Sequence, residues 1–167
     1  GNRRINSVLN NMYARSKTFR AYIDSFAASK DMAFQFSKVP NTDKQTMATT
    51  NPAMRTTPEG GISAITMDGE GGLTVTIIPG NTELPVVLIS IDLDKCLAQA
   101  DALGVDQDEY LSLVISQEIG HANDALTLGF EGFWTENKKE ESLPYQDRPA
   151  EQNADAISDV IMGELYD

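Results

Sequence analysis

The sequence of this 167-residue chain predicts an α+β fold. Three short runs rich in β-branched residues follow one another closely in the middle of the chain, which favours a small sheet. Segments with helical apolar spacing precede and follow these runs. We therefore expect an N-terminal helical segment, a small twisted sheet and two later helices, all within one domain of residues 1–167.

The N-terminal segment 3–28 predicts helix because its apolar residues recur at helical spacing and form one stripe on one face. The stripe consists of Ile5, Val8, Leu9, Met12, Phe19, Tyr22, Ile23 and Phe26. The segment is interpreted either as two short helices broken near Ser16 or as one long helix.

The middle of the chain is predicted to form the sheet. Residues 33–37 alternate, with Phe34 and Phe36 on one side, and predict a first strand. Segment 38–61 is rich in Pro, Thr, Asn and Gly and is interpreted as a long connection. The three runs that follow predict an antiparallel meander or a small mixed sheet, and they span residues 62–66, 73–78 and 85–91.

Two helices are predicted after the sheet. The first covers about 108–126, where Asp106 or Asp108 would cap its N-terminus, and the acidic residues 92–107 before it predict one or two helical turns around Leu97. Gly129, Gly132 and Pro144 favour a loop over 129–147. The second helix runs from about Pro149 to Leu165, and its apolar stripe is Ala154, Ile157, Ile161 and Leu165.

The charge balance excludes several classes of function. With 13 Lys and Arg against 25 Asp and Glu, the net charge is −12, so we expect neither a nucleic-acid partner nor a polybasic membrane patch. No apolar run is long enough for a membrane span, and the N-terminus does not resemble a signal peptide. The single cysteine, Cys96, excludes an internal disulfide and is expected to be a small, half-buried apolar residue.

The first motif lies in the middle of the helix predicted at 108–126. Gln117 and His121 are four residues apart, so both side chains lie on one helix face, and Glu118 follows about 100° around the helix. This is the layout of HExxH, in which two histidines bind zinc and the glutamate acts as general base. Here Gln117 stands in the place of the first histidine.

The second motif lies on the last predicted helix. Glu151 and Asp155 form ExxxD, again four residues apart, and Glu151 follows His121 by thirty residues. One carboxylate is suited to complete a zinc site, and the other to accept the ring N–H of a ligating histidine.

Together the two motifs resemble the zincin metallopeptidases, and more narrowly the gluzincin type, which carries HExxH on one helix and ExxxD on a later one. The resemblance covers roughly residues 108–165, and a helix followed by a sheet before the motif helix is also the usual zincin order. It implies a zincin-like α+β fold, one bound zinc ion and a zinc-dependent endopeptidase that cleaves a protein or peptide substrate. The implied cleft lies between the sheet edge and the motif helix.

The resemblance also implies a role for each motif residue. His121 and Glu151 would be zinc ligands, and Gln117 would occupy the position of the missing ligand. Glu118 would be the catalytic general base, and Asp155 would orient a histidine at position 117. Because a carboxamide oxygen is a weak ligand for zinc, we expect zinc to bind weakly or not at all in this chain, and activity to be lost or impaired.

Three explanations of Gln117 remain open. The chain is an altered copy of a protein that has histidine there, or a natural pseudopeptidase that binds a protein partner through the old cleft, or a protein that still holds a metal through Gln117, His121, Glu151 and water. A structural domain of a larger secreted or virion protein, and an ordinary α+β domain with solvated motif residues, are further alternatives.

The chain also resembles, more narrowly, the small effector and toxin metallopeptidase domains that bacteria deliver into other cells. That resemblance rests on its compact size, its abrupt start and the position of ExxxD near the C-terminus. It implies a domain cut from a longer protein, secreted or delivered into a target cell, and a neutralising immunity protein in the producing cell.

Other candidate residues are less specific. Tyr110, Tyr145 and Tyr166 are each possible donors to an oxyanion, and the sequence does not choose among them. The metzincin extension of HExxH needs a glycine and a ligand at the positions of Asp124 and Thr127, so that family is rejected.

Overall fold

The fold is taken from a computed structural model that describes residues 3–29, 32–40, 47–56, 59–60, 62–67, 73–78, 80, 83–140, 142–144 and 147–166. The helices are α1 (Arg3–Arg15), α2 (Lys17–Ala28), α3 (Leu93–Leu103), α4 (Gln107–Glu140) and α5 (Pro149–Tyr166). The strands are β1 (Ala33–Lys38), β2 (Ala48–Thr56), β3 (Ile62–Met67), β4 (Leu73–Ile78) and β5 (Glu83–Ile91). The fold is therefore α+β, as the sequence predicts.

The N-terminal segment forms two helices that separate at Ser16. Ser16 has extended backbone angles (φ −110°, ψ 110°), and its hydroxyl accepts a hydrogen bond from the backbone N–H of Phe19 at 3.0 Å. An extended N-cap residue with a hydroxyl acceptor begins a new helix. This confirms the first of the two interpretations of segment 3–28.

The described strands form two sheets. In the larger sheet the order is β1-β5-β2, with β1 parallel and β2 antiparallel to the central β5. Strands β3 and β4 pair with each other in a separate antiparallel sheet. The larger sheet is therefore mixed, as in the second of the two expectations, but only the last of the three runs belongs to it. The antiparallel meander, the first expectation, is wrong.

Strand β2 lies within segment 38–61, which the sequence analysis interpreted as a connection, and that interpretation is wrong for residues 48–56. Pro52 lies in the middle of the strand, opposite Val87 of β5. Proline cannot donate to a neighbouring strand, so it is tolerated in sheets mainly on edge strands, and β2 lies at the edge of the described sheet. Pro52 therefore weakens the strand pattern in the sequence, but it is compatible with an edge strand.

Helices α3 and α4 are both longer than predicted. Helix α3 has 11 residues, begins at an Asp92 N-cap and ends at Gly104, whose φ of 70° suits a left-handed C-cap. Asp106 caps α4 by accepting from the backbone N–H of Glu109 at 3.0 Å. The predicted loop at 129–147 is wrong for residues 130–140, which are helical after a single break at Gly129 (φ 74°, ψ 166°).

The core lies between the larger sheet and the helices. Helix α4 contributes Leu111, Ile115 and Ile119 on one face, and all three are fully buried. Cys96 is also fully buried, and its burial raises the pKa of the thiol to about 12, as do the charges of Asp92 and Glu118. No helix in the described part of the chain is both long enough and apolar enough to cross a membrane.

Candidate functional site

The two motif helices pack closely because Gly120 of α4 meets Ala154 of α5. A Cβ on Gly120 would lie 2.6 Å from the Cα of Ala154 and 3.0 Å from its Cβ, well inside van der Waals contact. Both residues are buried, and each lies between the two functional positions of its motif. Their small size therefore lets the side chains on either side reach across between the helices.

The four functional positions of the two motifs pair across this contact. The ring Nε2 of His121 lies 3.1 Å from Oε2 of Glu151, and Nε2 of Gln117 donates to Oδ1 of Asp155 at 3.3 Å. The sequence predicts only that the two residues of each motif share one helix face. The structure adds that each residue of the first motif contacts one residue of the second. The roles that the resemblance implies for Glu151 and Asp155 stay predictions, and the structure shows which residue each of them contacts.

The pair of His121 and Glu151 fits two ligands of one metal ion. Two ligand atoms in a tetrahedral zinc site, with bonds of about 2.0–2.1 Å, lie roughly 3.3 Å apart. The 3.1 Å between Nε2 and Oε2 is close to that separation, with an N–H where the metal would lie. Their side chains are 15% and 16% exposed, so both are accessible from the cleft described below.

Gln117 does not fit a zinc site. A carboxylate only accepts hydrogen bonds, so the NH₂ group of Gln117 must face Asp155, which leaves the carboxamide oxygen as the group free to ligate. That oxygen is a poor ligand for zinc. Within the described ranges, no three His, Cys, Asp or Glu side chains are arranged to hold a metal ion.

Glu118 is buried between α4 and the sheet edge. Its side chain is 8% exposed, and its Oε2 accepts a hydrogen bond from the hydroxyl of Thr50 on β2. Burial raises the pKa of Glu118 above its ordinary value, the charge of Glu151 adds to this, and His121 and the Thr50 hydrogen bond act in the opposite direction. A buried carboxyl with a raised pKa in a cleft is a candidate general base.

A cleft of about 1110 Å³ opens between the start of β2 and helices α4 and α5. Residues 47–51 of the β2 side line it, as do Gln117, Glu118, His121 and Glu151. The position of the cleft, between a sheet edge and the motif helix, agrees with the sequence-based expectation. A peptide of several residues could enter such a space in extended form.

The cleft is acidic. Its lining includes the carboxylates of Glu118, Asp124, Glu136, Glu140 and Glu151, together with Arg148. Burial alone would lower the pKa of His121, but the hydrogen bond to Glu151 and the charges of Glu118, Glu151 and Asp124 leave it above its ordinary value. Burial likewise raises the pKa of Asp124, as do the charges of Glu140 and Glu151, although His121 acts to lower it.

The candidate tyrosines differ in position. Tyr110 lines the cleft, and its burial and the nearby Cys96 raise the pKa of its hydroxyl. Tyr166 is 40% exposed and its hydroxyl lies 3.4 Å from Oγ of Ser112, whereas Tyr145 lies outside the described residues. Of the two tyrosines that the structure describes, Tyr110 is the one in the cleft lining.

Thr50 is the site residue that the sequence analysis missed. It lies in a segment with no strand-like alternation, and it belongs to neither motif. Only the pairing of β2 with β5 places it against Glu118, 68 residues further along the chain. Pro52 argued against a strand here, so no signal in the sequence pointed to this segment.

Comparison with family models, with curated proteins and with solved structures finds no match to this chain. The resemblance to zincins therefore rests on the two sequence motifs alone.

Proposed function

We propose that this chain is a zincin-like, zinc-dependent endopeptidase domain in which Gln117 leaves the activity lost or impaired. The observation that carries the proposal is the pairing of the two motifs, Gln117 with Asp155 and His121 with Glu151, beside a buried Glu118. Two independent chance motifs would have no reason to meet position by position across a helix contact that a glycine and an alanine permit.

The chain's own groups suit peptide hydrolysis. A zinc ion, held where a third good ligand is present, would supply Lewis-acid chemistry and a more acidic water. Glu118 would accept the proton of the attacking water and return it to the leaving amine. The edge strand β2 borders the cleft and offers backbone groups to an extended substrate.

The zinc content of two proteins tests this proposal. We expect Gln117→His to bind one zinc per chain by elemental analysis, and the present chain to bind little, because the substitution supplies the missing imidazole. In the Gln117→His protein, Glu118→Gln should keep the zinc and lose cleavage of labelled casein. Absence of zinc from both proteins would overturn the peptidase proposal.

The second candidate function is that of a natural pseudopeptidase that binds a protein. It is favoured by Gln117, whose NH₂ group donates to Asp155 and leaves a carboxamide oxygen that is a poor ligand for zinc. A pseudopeptidase should fail to cleave labelled casein as Gln117→His, even where that substitution lets zinc raise the melting temperature.

In its cellular setting, the proposal extends to an effector or toxin domain that is secreted or delivered into a target cell and neutralised by an immunity protein. What supports this extension is the resemblance to small effector metallopeptidases stated from the sequence. Pull-down with the product of the gene neighbouring this one in its source would test it, because a toxin peptidase requires a dedicated inhibitor.

A further inference from the structure

Thr50 contacts the candidate general base from the edge strand of the sheet. Its hydroxyl donates to Oε2 of Glu118 and also lies 3.4 Å from the backbone carbonyl oxygen of the same residue. Both side chains are buried, with 7% of Thr50 and 8% of Glu118 exposed. The contact therefore joins strand β2 to helix α4 at the point where the chemistry would take place.

Both partners are held by rigid elements. Thr50 lies opposite Ile89, which is fully buried in the central strand β5. Its β-branched side chain has few rotamers, so the hydroxyl has a defined direction. On the other side, Ile115 and Ile119 anchor α4 in the core. The donor is thus in place before any ligand binds.

We propose that Thr50 is a positioning residue that fixes one oxygen of Glu118 against β2 and leaves the other oxygen to exchange protons in the cleft. The effect of Thr50 on catalysis rests on the proposed peptidase function. The fixing of the Glu118 side chain rests only on the contact itself. A glutamate side chain has three rotatable bonds, and a base that is misplaced by about 1 Å can lose about 100-fold in rate.

The position of Thr50 on strand β2 also bears on how a substrate would lie relative to Glu118. The cleft is lined by residues 47–51, so an extended substrate along this edge would lie on the same strand that holds Thr50. Substrate and base would then be positioned by one element, and the distance between them would not depend on the helix contact alone.

The contact is tested first in the chain as it is, without metal. Thr50→Val keeps the shape and removes the hydroxyl, and Thr50→Ser keeps the hydroxyl. We expect Thr50→Val to lower the folding equilibrium constant about tenfold in urea unfolding, and Thr50→Ser to recover most of this loss. In a Glu118→Leu background, Thr50→Val should change it less than about twofold, because the partner is gone.

The carboxyl ¹³C chemical shift of Glu118 gives a second measurement that does not depend on the Glu118→Leu variant. It should move in Thr50→Val and stay near the parent value in Thr50→Ser. An unchanged shift, or an equal loss of stability with and without Glu118, would overturn the proposal.

The catalytic meaning is tested in the Gln117→His protein loaded with zinc. With labelled casein as substrate, Thr50→Val should lower kcat about 10- to 100-fold with KM within about threefold, and Thr50→Ser should restore kcat, while zinc content stays at the parent level. A fall in kcat that follows loss of zinc, or no fall at all, would overturn it. If Gln117→His itself binds no zinc, the proposed function fails, and the unfolding and ¹³C measurements still decide the contact.

Discussion

Gln117 and His121 occupy equivalent places on α4, and each is paired with a carboxylate of α5. They differ in the atom that each side chain offers to a metal ion. The imidazole nitrogen of His121 and Oε2 of Glu151 lie at the spacing of two metal ligands, whereas Gln117 offers only a neutral carboxamide oxygen. Under the proposed function, a single residue thus separates this site from a complete set of zinc ligands.

Asp155 should matter for metal binding more than for folding. It is exposed, so its hydrogen bond to Gln117 contributes little to stability. In the Gln117→His protein we expect Asp155→Asn to weaken zinc binding about 10- to 100-fold, because the carboxylate no longer orients the new imidazole. Competition with a chelator of known affinity measures this.

The control for this prediction is Asp159→Asn, which removes an exposed carboxylate one turn further along α5. It changes the net charge by the same amount and should leave zinc affinity within about twofold. Equal affinities of the parent and Asp155→Asn proteins would show that Asp155 does not act on the residue at position 117.

At single positions, the sequence was sufficient where the direction of a side chain follows helical spacing. The placement of Glu118 and His121 on α4, and of Asp155 on α5, could be predicted because positions one, three or four residues apart on one helix have fixed relative directions. Thr50 could not, since its contact with Glu118 depends on strand pairing between distant segments. No local pattern encodes such a contact.

Among the helices, the contact of α4 with α5 depends on Gly120. Alanine normally favours a helix over glycine by about 1 kcal/mol, but here the new Cβ would lie 2.6 Å from the backbone of Ala154. Because α5 must move away, we expect Gly120→Ala to destabilise the fold by about 1–3 kcal/mol in urea unfolding, and to separate the motif pairs.

Gly132, on the same helix, is the matched control. Its Cβ would lie 3.1 Å from Cβ of Leu128, an exposed residue one turn earlier and not the backbone of a second helix, so a shift of a few tenths of an ångström relieves the contact. Gly132→Ala should therefore be neutral or stabilising by up to about 1 kcal/mol. If both substitutions stabilise the protein, close packing at Gly120 does not limit the approach of α5.

Helix α5 is also fixed at its C-terminal end, where Glu164 meets the N-terminus of α2. Oε1 of Glu164 accepts from Oγ of Ser16 at 2.7 Å and from the backbone N–H of Thr18 at 2.9 Å, and Oε2 accepts from Oγ1 of Thr18 at 2.5 Å. Burial would raise the pKa of Glu164, but these hydrogen bonds and the charge of Lys17 lower it below its ordinary value of 4.5.

A pKa lowered by folding stabilises the protein only while the carboxylate is ionised. The contribution of Glu164 is complete above its ordinary pKa and is lost as the pH falls through the lower folded value. We expect Glu164→Gln to lower the melting temperature at pH 7, and the difference from the parent to vanish at pH 2–3. Glu131→Gln, at an exposed position of α4, is the control variant with the same change of charge.

The elements themselves were predictable where periodicity is strong. Helices α1, α2 and α5 and strands β1, β4 and β5 follow their apolar patterns. Strand β2 was not predicted because an edge strand with Pro52 and many threonines lacks alternation. The helical residues 130–140 were not predicted because a glycine such as Gly129 is typical of a helix end. In the structure only Gly129 is non-helical, and Phe133 is again buried in the core.

As a whole, the molecule carries a net charge of −12, and some of its carboxylates line the cleft, among them Asp124, Glu136 and Glu140. A low-dielectric cleft focuses such a field, so cationic ligands are drawn to it and anionic ligands are repelled. The charge of the molecule and the charge of the site therefore act in the same direction.

This field predicts that the chain binds basic peptides in preference to acidic ones. The preference can be measured in the present chain, because we expect it not to cleave the peptides. We expect a labelled peptide rich in Lys and Arg to bind more tightly than an acidic peptide of equal length, by at least about tenfold at 20 mM NaCl. Because salt screens the field, the preference should shrink several-fold at 200 mM NaCl. Fluorescence anisotropy measures both affinities.

The position of the responsible charges is resolved by two double variants with equal net charge. Asp124→Asn with Glu136→Gln removes two of the carboxylates that line the cleft, whereas Glu109→Gln with Asp159→Asn removes two exposed carboxylates outside its lining. The first should remove most of the preference for the basic peptide and the second little of it, because attraction at short range outweighs the screened field of the whole molecule. Equal losses in both would assign the preference to net charge, and the cleft would then have no part in choosing a substrate.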